Sequence, residues 1–318
     1  MLYPLKFEPI YKSKIWGGEN IKSIKMDKSV PPNCGESWEI SAVKDDISVI
    51  SNGFLRGNTI EEIIEIYMEE IVGDKVFEKF GYEFPILLKI IDAGDNLSIQ
   101  VHPDNDIAAQ RHNAWGKSEM WFILNAEQNA YILNGFNRKI DENILLTSIN
   151  NNDIENIINK ISVKIGDSFY IPAGRIHSIG KGITMLEIQQ TSDITYRVYD
   201  YNRTDRELHL DLATDVIDYK QTEIFKQNYS QNIDQRNQII ENDIFTVNFL
   251  PIVCPVKKDY YDIDSFVLYF CVTGSLKLKY HNEQCVDINR GETVLIPADL
   301  KIFTLIPDSY SELIEVYL

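Results

Sequence analysis

Gly166-Asp-Ser-Phe-Tyr-Ile-Pro-Ala173 has an echo 125 residues downstream, Gly291-Glu-Thr-Val-Leu-Ile-Pro-Ala298. Both stretches run glycine, acidic residue, hydroxyl residue, two apolar positions, then Ile-Pro-Ala. Glycine permits a tight turn into a strand, and proline closes the strand because it lacks the N–H that a sheet ladder needs. One strand-and-turn unit recurring at a fixed offset reads as two copies of a single β unit. The surrounding sequence agrees with strands. Alternating apolar and polar runs cover 86–91, 97–102, 120–124, 162–171, 182–189 and 195–199, then 245–251, 265–272, 275–280, 291–296 and 303–306. With 17 Tyr and 14 Phe the chain is also rich in residues that suit a pleated, half-buried surface.

Two segments break the β pattern. From Asn58-Thr-Ile-Glu-Glu-Ile-Ile-Glu-Ile-Tyr onward, apolar residues recur at helical spacing behind an Asn58 or Thr59 cap, which predicts a helical insertion over about 58–82. A second helical pattern covers about 208–219. Residues 221–236 are polar, rich in Gln and Asn and without period, as a linker is. A chain of 318 residues exceeds the usual size of one hydrophobic core. The expected division is therefore 1–237 and 238–318. Each copy of the echo resembles the second half of a cupin motif. The fold class this implies is mainly β, with two cupin-type (jelly-roll) β-barrels and a helical insertion. At the offset of 125, His177 corresponds to Ile302, so the C-terminal barrel is expected to carry no metal ligands.

Net charge excludes some partners. Acidic residues outnumber basic ones by 48 to 31, whereas nucleic acid and anionic membrane surfaces select for positive potential. A phosphate ester would have to be captured by a few Lys and Arg gathered in one cleft. The N-terminus has neither the basic nor the apolar region of a signal peptide, and no apolar run is long enough for a bilayer, so the expected location is cytoplasmic. Cys34, Cys254, Cys271 and Cys285 show no C-x-x-C spacing and read as buried free thiols.

Chemistry concentrates in three strands. In Asn96-Leu-Ser-Ile-Gln-Val-His-Pro-Asp104 the period of two puts Ser98, Gln100 and His102 on one face. The same period pairs Lys117 with Glu119, and Arg175 with His177 after the Pro-Ala-Gly turn. Two imidazoles, a carboxylate and an amide oxygen can thus converge. That donor set suits Zn²⁺ with a coordination position left open.

Leu87-Leu-Lys-Ile-Ile-Asp-Ala, Leu97-Ser-Ile-Gln-Val-His-Pro, Lys117-Ser-Glu-Met, Ile171-Pro-Ala-Gly-Arg-Ile-His and Ser192-Asp-Ile-Thr-Tyr-Arg197 together resemble the type I phosphomannose isomerase family in its short bacterial form. The resemblance runs from about Tyr3 through Asp218 and more weakly to the end. It implies one zinc per chain, held by Gln100, His102, Glu119 and His177. It also implies a phosphate and sugar pocket at Ser98 and Lys117, and a functional arginine at Arg197. Arg197 is followed by Val-Tyr-Asp-Tyr, where longer relatives have Ala-Gly, which leaves its contacts less defined than the ligands.

Aldose–ketose isomerisation removes a C2 proton, passes through a cis-enediolate and returns the proton to C1, which calls for a Lewis acid and a base. Glu187 is the first candidate for proton transfer; Lys117 and Lys89 are rivals, and both also stand as candidate substrate-binding cations. His112, His209 and His281 lie in polar stretches and are expected to be exposed. The four Trp read as packing or as walls of a sugar pocket, and Gly17-Gly18 lacks any nucleotide-binding context. Two other functions fit the same pattern: a catalytically silent sugar-phosphate sensor, and a cupin oxygenase using Fe²⁺. Complete ligands beside Lys117 and Arg197 disfavour the first, and Gln100 disfavours the second.

Overall fold

The computed structural model describes residues 1–223 and 226–318; Ile224 and Phe225, inside the polar stretch expected over 221–236, lie outside the described residues. The protein is mainly β, and among the described residues it has sheets of six, five, five and four strands with one two-stranded ribbon. In the six-stranded sheet the order is Ile10–Gly18, Cys34–Ile40, Ile86–Ala93, Ile183–Gln190, Glu119–Ala126, Ser168–Ile171. A five-stranded sheet, ordered Tyr196–Tyr199, Ile99–Val101, His177–Ile179, Tyr131–Phe136, Ile158–Ser162, faces it. Trp121, Ile123, Phe169 and Met185 from the first sheet meet Ile132 and Ile179 from the second in one buried cluster. The C-terminal half repeats the scheme with a five-stranded sheet, Asn237–Glu241, Thr246–Ile252, Ser311–Tyr317, Val267–Thr273, Thr293–Ile296, and a four-stranded one. Each half is a pair of facing sheets; no hydrogen-bonded closure joins the two sheets of a pair among the described residues.

The strand Ile183–Gln190 is buried on both faces, because sheets stack on both sides of it. Met185 enters the cluster between the first two sheets, while Leu186 and Ile188 join a larger core with Phe249, Leu268 and Ile314 of the C-terminal half. Each such side chain contributes about 1.5–3 kcal/mol by leaving water, so the halves are welded by apolar contact. Other links cross the expected boundary: Leu5 pairs with Leu295, and the helix Glu69–Val72 accepts a hydrogen bond from Phe266 N–H through Val72 O. We retain 1–237 and 238–318 as a proposed division, with residues around Leu5 reaching across it.

The register bears out the sequence echo. Phe169 pairs with Trp121, which pairs with Glu187; at the same offset Val294 pairs with Tyr269, which pairs with Glu315. The helical insertion consists of Ile60–Tyr67, Glu69–Val72 and Asp74–Phe80, opened by a Thr59–Glu62 capping box. Four expectations need correction. Of the four thiols expected to be buried, Cys34 and Cys271 are, whereas Cys254 and Cys285 are exposed. The run 162–171 is two strands, Ile158–Ser162 and Ser168–Ile171, because Gly166 turns the chain at φ +82. The strand expected over 97–102 is only Ile99–Val101. The helix expected over about 208–219 stops after Leu210–Thr214, where Asp218 N–H leaves the helical pattern to donate to Gly174 O, a tertiary bond beside the His177 turn.

Candidate metal centre

His177 lies opposite Gln100 in the five-stranded sheet, and His102 follows the end of the same strand as Gln100. Glu119 begins its strand in the facing sheet. The sandwich thus brings His102, Glu119 and His177 together, with one ligand atom of each within 4.8 Å of the others, all fully buried. His102 Nδ1 lies 2.9 Å from Ile194 O and His177 Nδ1 lies 2.8 Å from Arg175 O. A carbonyl only accepts, so each Nδ1 carries the proton and each Nε2 turns a lone pair inward. Burial, with Lys117 beside it, pushes His102 down to about 3 against the pull of Glu119. Burial lowers His177 as well. Burial would raise Glu119, yet Lys117 and His102 hold it well below the usual carboxylate range. The centre therefore presents neutral imidazoles and a carboxylate, the protonation states that a metal requires.

These residues fit a divalent cation on a further ground. His102 Nε2 and Glu119 Oε1 stand 3.1 Å apart, and neither has a hydrogen-bond partner among the described residues. Two buried lone pairs facing each other are costly unless a cation lies between or beside them. Lys117 Nζ, 2.9 Å from Glu119 Oε1, supplies part of that charge. Gln100 stands at the edge, its Nε2 3.3 Å from His177 Nε2 and its Oε1 accepting from Ser98 Oγ at 3.3 Å. A half-turn of the amide would present Oε1 to the same point.

Comparison with known proteins bears on this donor set. Residues 4–118 match the phosphomannose isomerase type I catalytic domain. The chain is 39% identical over 225 residues to the mannose-6-phosphate isomerase ManA of Bacillus subtilis, and 40% identical over 223 residues to the mannose-6-phosphate isomerase of Streptococcus mutans, covering 68% of each chain in both comparisons. A crystal structure of the mannose 6-phosphate isomerase from Bacillus subtilis superposes over 99% of both chains, with TM-score 0.89 at 30% identity. The chain belongs to the type I phosphomannose isomerase family.

In this isomerase the candidate metal cluster borders a cleft of about 570 Å³ whose lining includes Ser98, Gln100, Lys117, Lys89, Glu187 and Arg197, all singled out from the sequence. Glu187 and Lys89 are neighbours in register, with Nζ 2.7 Å from Oε1. Burial and then Glu119 raise Glu187, while Lys89 and Lys117 oppose them. Burial pulls the Lys89 ammonium down, but Glu187, Glu36 and Glu119 together raise it above its ordinary range. Lys89 thus holds its proton, which weakens its claim as a base. Trp121 Nε1 donates to Glu119 and Glu187 at 3.1 and 3.0 Å, tying the centre to the cleft floor.

Charge within the cleft runs against the acidic whole. Six cations line it, Lys12, Lys14, Lys89, Lys117, Arg197 and Arg206, against five carboxylates, Glu36, Asp46, Glu187, Asp193 and Asp205. Lys12 pairs with Asp46, Lys14 with Glu36, Lys89 with Glu187, Lys117 with Glu119 and Arg206 with Asp200. Among the described residues Arg197 alone of the six makes no ion pair; its Nη1 donates to Glu207 O and its Nε is buried without a partner.

Trp16 on the strand Ile10–Gly18 and Trp38 on Cys34–Ile40 wall the cleft, one of the two roles expected for the tryptophans, whereas Lys12, Lys14 and Glu36 on the same strands were not recognised from the sequence. A signal existed, since each set repeats at a period of two. His209 corrects the expectation of exposure: it is half-buried, and its Nδ1 accepts the Arg197 backbone N–H at 3.1 Å. His281, also expected to be exposed, is half-buried with its Nε2 3.2 Å from Leu2 O, while His112 is exposed, as expected, and bonds the Tyr196 hydroxyl.

Proposed function

We propose that this isomerase interconverts D-mannose 6-phosphate and D-fructose 6-phosphate reversibly through a cis-enediolate. The observation that carries the reading is the cluster of His102, Glu119 and His177 beside a cleft that also holds Glu187 and Arg197, the latter without an ion pair among the described residues. Its relatives in Bacillus subtilis and Streptococcus mutans are named for mannose 6-phosphate, which supplies the substrate.

In the proposal Gln100 joins the three buried residues to hold one zinc. Bound there, zinc supplies Lewis-acid stabilisation of negative charge on the two adjacent oxygens of the open-chain sugar. Glu187 takes the C2 proton and returns it to C1. Its raised carboxyl favours uptake, Trp121 fixes Oε2, and Oε1 has no hydrogen-bond partner apart from the nearby Lys89 ammonium. Lys89 stays charged and steadies the ionised form of Glu187. Arg197, Lys117 and Ser98 receive the phosphate and sugar hydroxyls. The sugar phosphate is the expected partner, nucleic acid and membrane are not, and the cytoplasm is the expected location. No helix among the described residues is long and apolar enough to cross a membrane.

A coupled assay for fructose 6-phosphate, with mannose 6-phosphate supplied to metal-loaded protein, is the test. Steady product formation is expected. Tight binding of mannose 6-phosphate without turnover would favour a sensor instead.

A further inference from the structure

The segment Tyr199-Asp-Tyr-Asn-Arg-Thr-Asp-Arg206 supplies part of a wall of the cleft through Asp205 and Arg206. Asp200 is buried with an exposure of 2% and receives two arginines. Arg203 is consumed by structure, since it also donates to Asn96 O at 2.8 Å and to Asp95 at 2.7 Å. Arg206 is held differently. Its Nε and Nη2 reach the two Asp200 oxygens at 2.9 and 2.5 Å, a two-point grip that fixes the guanidinium plane. Its Nη1 has no hydrogen-bond partner among the described residues, and the side chain remains 22% exposed at the cleft wall.

Arg197 lines the same cleft, and its guanidinium is pushed below its ordinary range by burial and then by Arg206. Two like charges so placed repel, and Asp200 and then Asp205 relieve them only in part. A dianion between them removes the repulsion, and forked N–H donors match phosphate oxygens. We infer that Arg206, oriented by buried Asp200, is the second arm of a phosphate clamp whose first arm is Arg197, and that this clamp selects phosphorylated over unphosphorylated sugar. Asp200 is then a positioning residue. The inference rests on the proposed isomerase reading for its substrate, while its ligand chemistry stands apart from turnover.

Inorganic phosphate is the probe. Its binding to the full-length chain can be followed by calorimetry and by the fluorescence of Trp16 and Trp38 in the cleft. Arg206→Met should weaken phosphate binding about tenfold or more, and should lower kcat/KM for mannose 6-phosphate by a similar factor, carried by KM. Because Arg206→Met leaves Asp200 short of a partner, the double variant Asp200→Asn/Arg206→Met guards against misfolding and should show the same loss. Phosphate affinity within about twofold of the parent in either folded variant, or a loss carried by kcat alone, overturns the clamp. Phosphate binding that depends on Arg206 in a chain without isomerase activity would keep the clamp and defeat the isomerase reading; turnover with Arg206-independent phosphate binding would do the reverse.

Discussion

Glu187 and Glu315 occupy the same register position in the two halves of the molecule, each on a strand flanked by equivalent neighbours, Lys89 and Trp121 in one half and Asn248 and Tyr269 in the other. Their surroundings drive them in opposite directions. Burial and Glu119 raise Glu187, whose Oε1 has the Lys89 ammonium as its one close partner among the described residues, at a cleft. Burial would raise Glu315 too, but Lys258 and Arg236 outweigh it and hold its carboxyl down at about 2. Arg236 Nε at 2.6 Å, Lys258 Nζ at 2.9 Å, Tyr269 OH at 2.8 Å, Asn248 Nδ2 at 3.0 Å and the Tyr260 hydroxyl use up its acceptor capacity. At the positions matching Glu119 and His177 the C-terminal half has Val267 and Ile302. The same inward-facing carboxylate is the proposed base where a donor cluster and a cleft surround it, and is held down by cations where they saturate it.

The largest effect should come from separating the halves. Removing residues 238–318 uncovers Leu88, Ile90, Met120, Phe122, Leu186 and Ile188, now buried in the shared core. At about 1.5–3 kcal/mol for each, the remainder should be insoluble or unfolded on expression; a soluble, stable and fully active fragment would break the comparison. Next come the paired amides. Glu187→Gln should lower kcat by roughly 10²–10⁴ with a small change in Tm. Glu315→Gln should leave kcat near the parent value and cost about 3–5 kcal/mol, because Lys258 and Arg236 lose a buried partner. Denaturant titration beside the coupled assay distinguishes them, and equal kinetic losses would erase the distinction.

A pH titration of stability sharpens the contrast at a smaller scale. The folded pKa of Glu315 lies below its unfolded value, so its contribution is complete above about 4.5 and drains away as pH falls through about 2. From the shift it amounts to roughly 3 kcal/mol. Stability of the parent should fall more steeply between those limits than that of Glu315→Gln; parallel curves would contradict the assignment. The smallest effect is expected at Lys277, 53% exposed and 3.8 Å from Asp287. Lys277→Ala should shift stability by less than about 0.5 kcal/mol and leave turnover unaltered.

Much of this contrast was legible in the sequence. The Gly-to-Ala echo located equivalent strands, and polar residues at a period of two, Ser98 with Gln100 and Lys117 with Glu119, marked a face that is buried at Ser98, Lys117 and Glu119 and half-buried at Gln100. Period two also hid things. Lys12, Lys14 and Trp16 repeat just as Gln100 and His102 do, yet Lys and Trp read equally as ordinary surface or packing. The Glu315 cluster was illegible because Arg236 sits in what looked like linker and Lys258 on an unremarked strand; only sheet stacking brings them to one carboxylate. The anchored Arg206 depends on a loop through Tyr201 and Asn202, both at positive φ, whose path no periodicity encodes.

The central claim is that one metal per chain, held by His102, Glu119 and His177 with Gln100, underlies turnover. Metal content and conversion of mannose 6-phosphate should be measured on the same samples, as isolated, after chelation and after zinc is restored, with His177→Ala carried in parallel. The account predicts one equivalent of metal in the active parent, loss of turnover on chelation, recovery on reloading, and more than about a hundredfold loss of metal affinity in His177→Ala, with the fold retained. Full turnover in metal-free protein, two tightly held metals per chain, or stoichiometric metal and normal turnover in His177→Ala would contradict it.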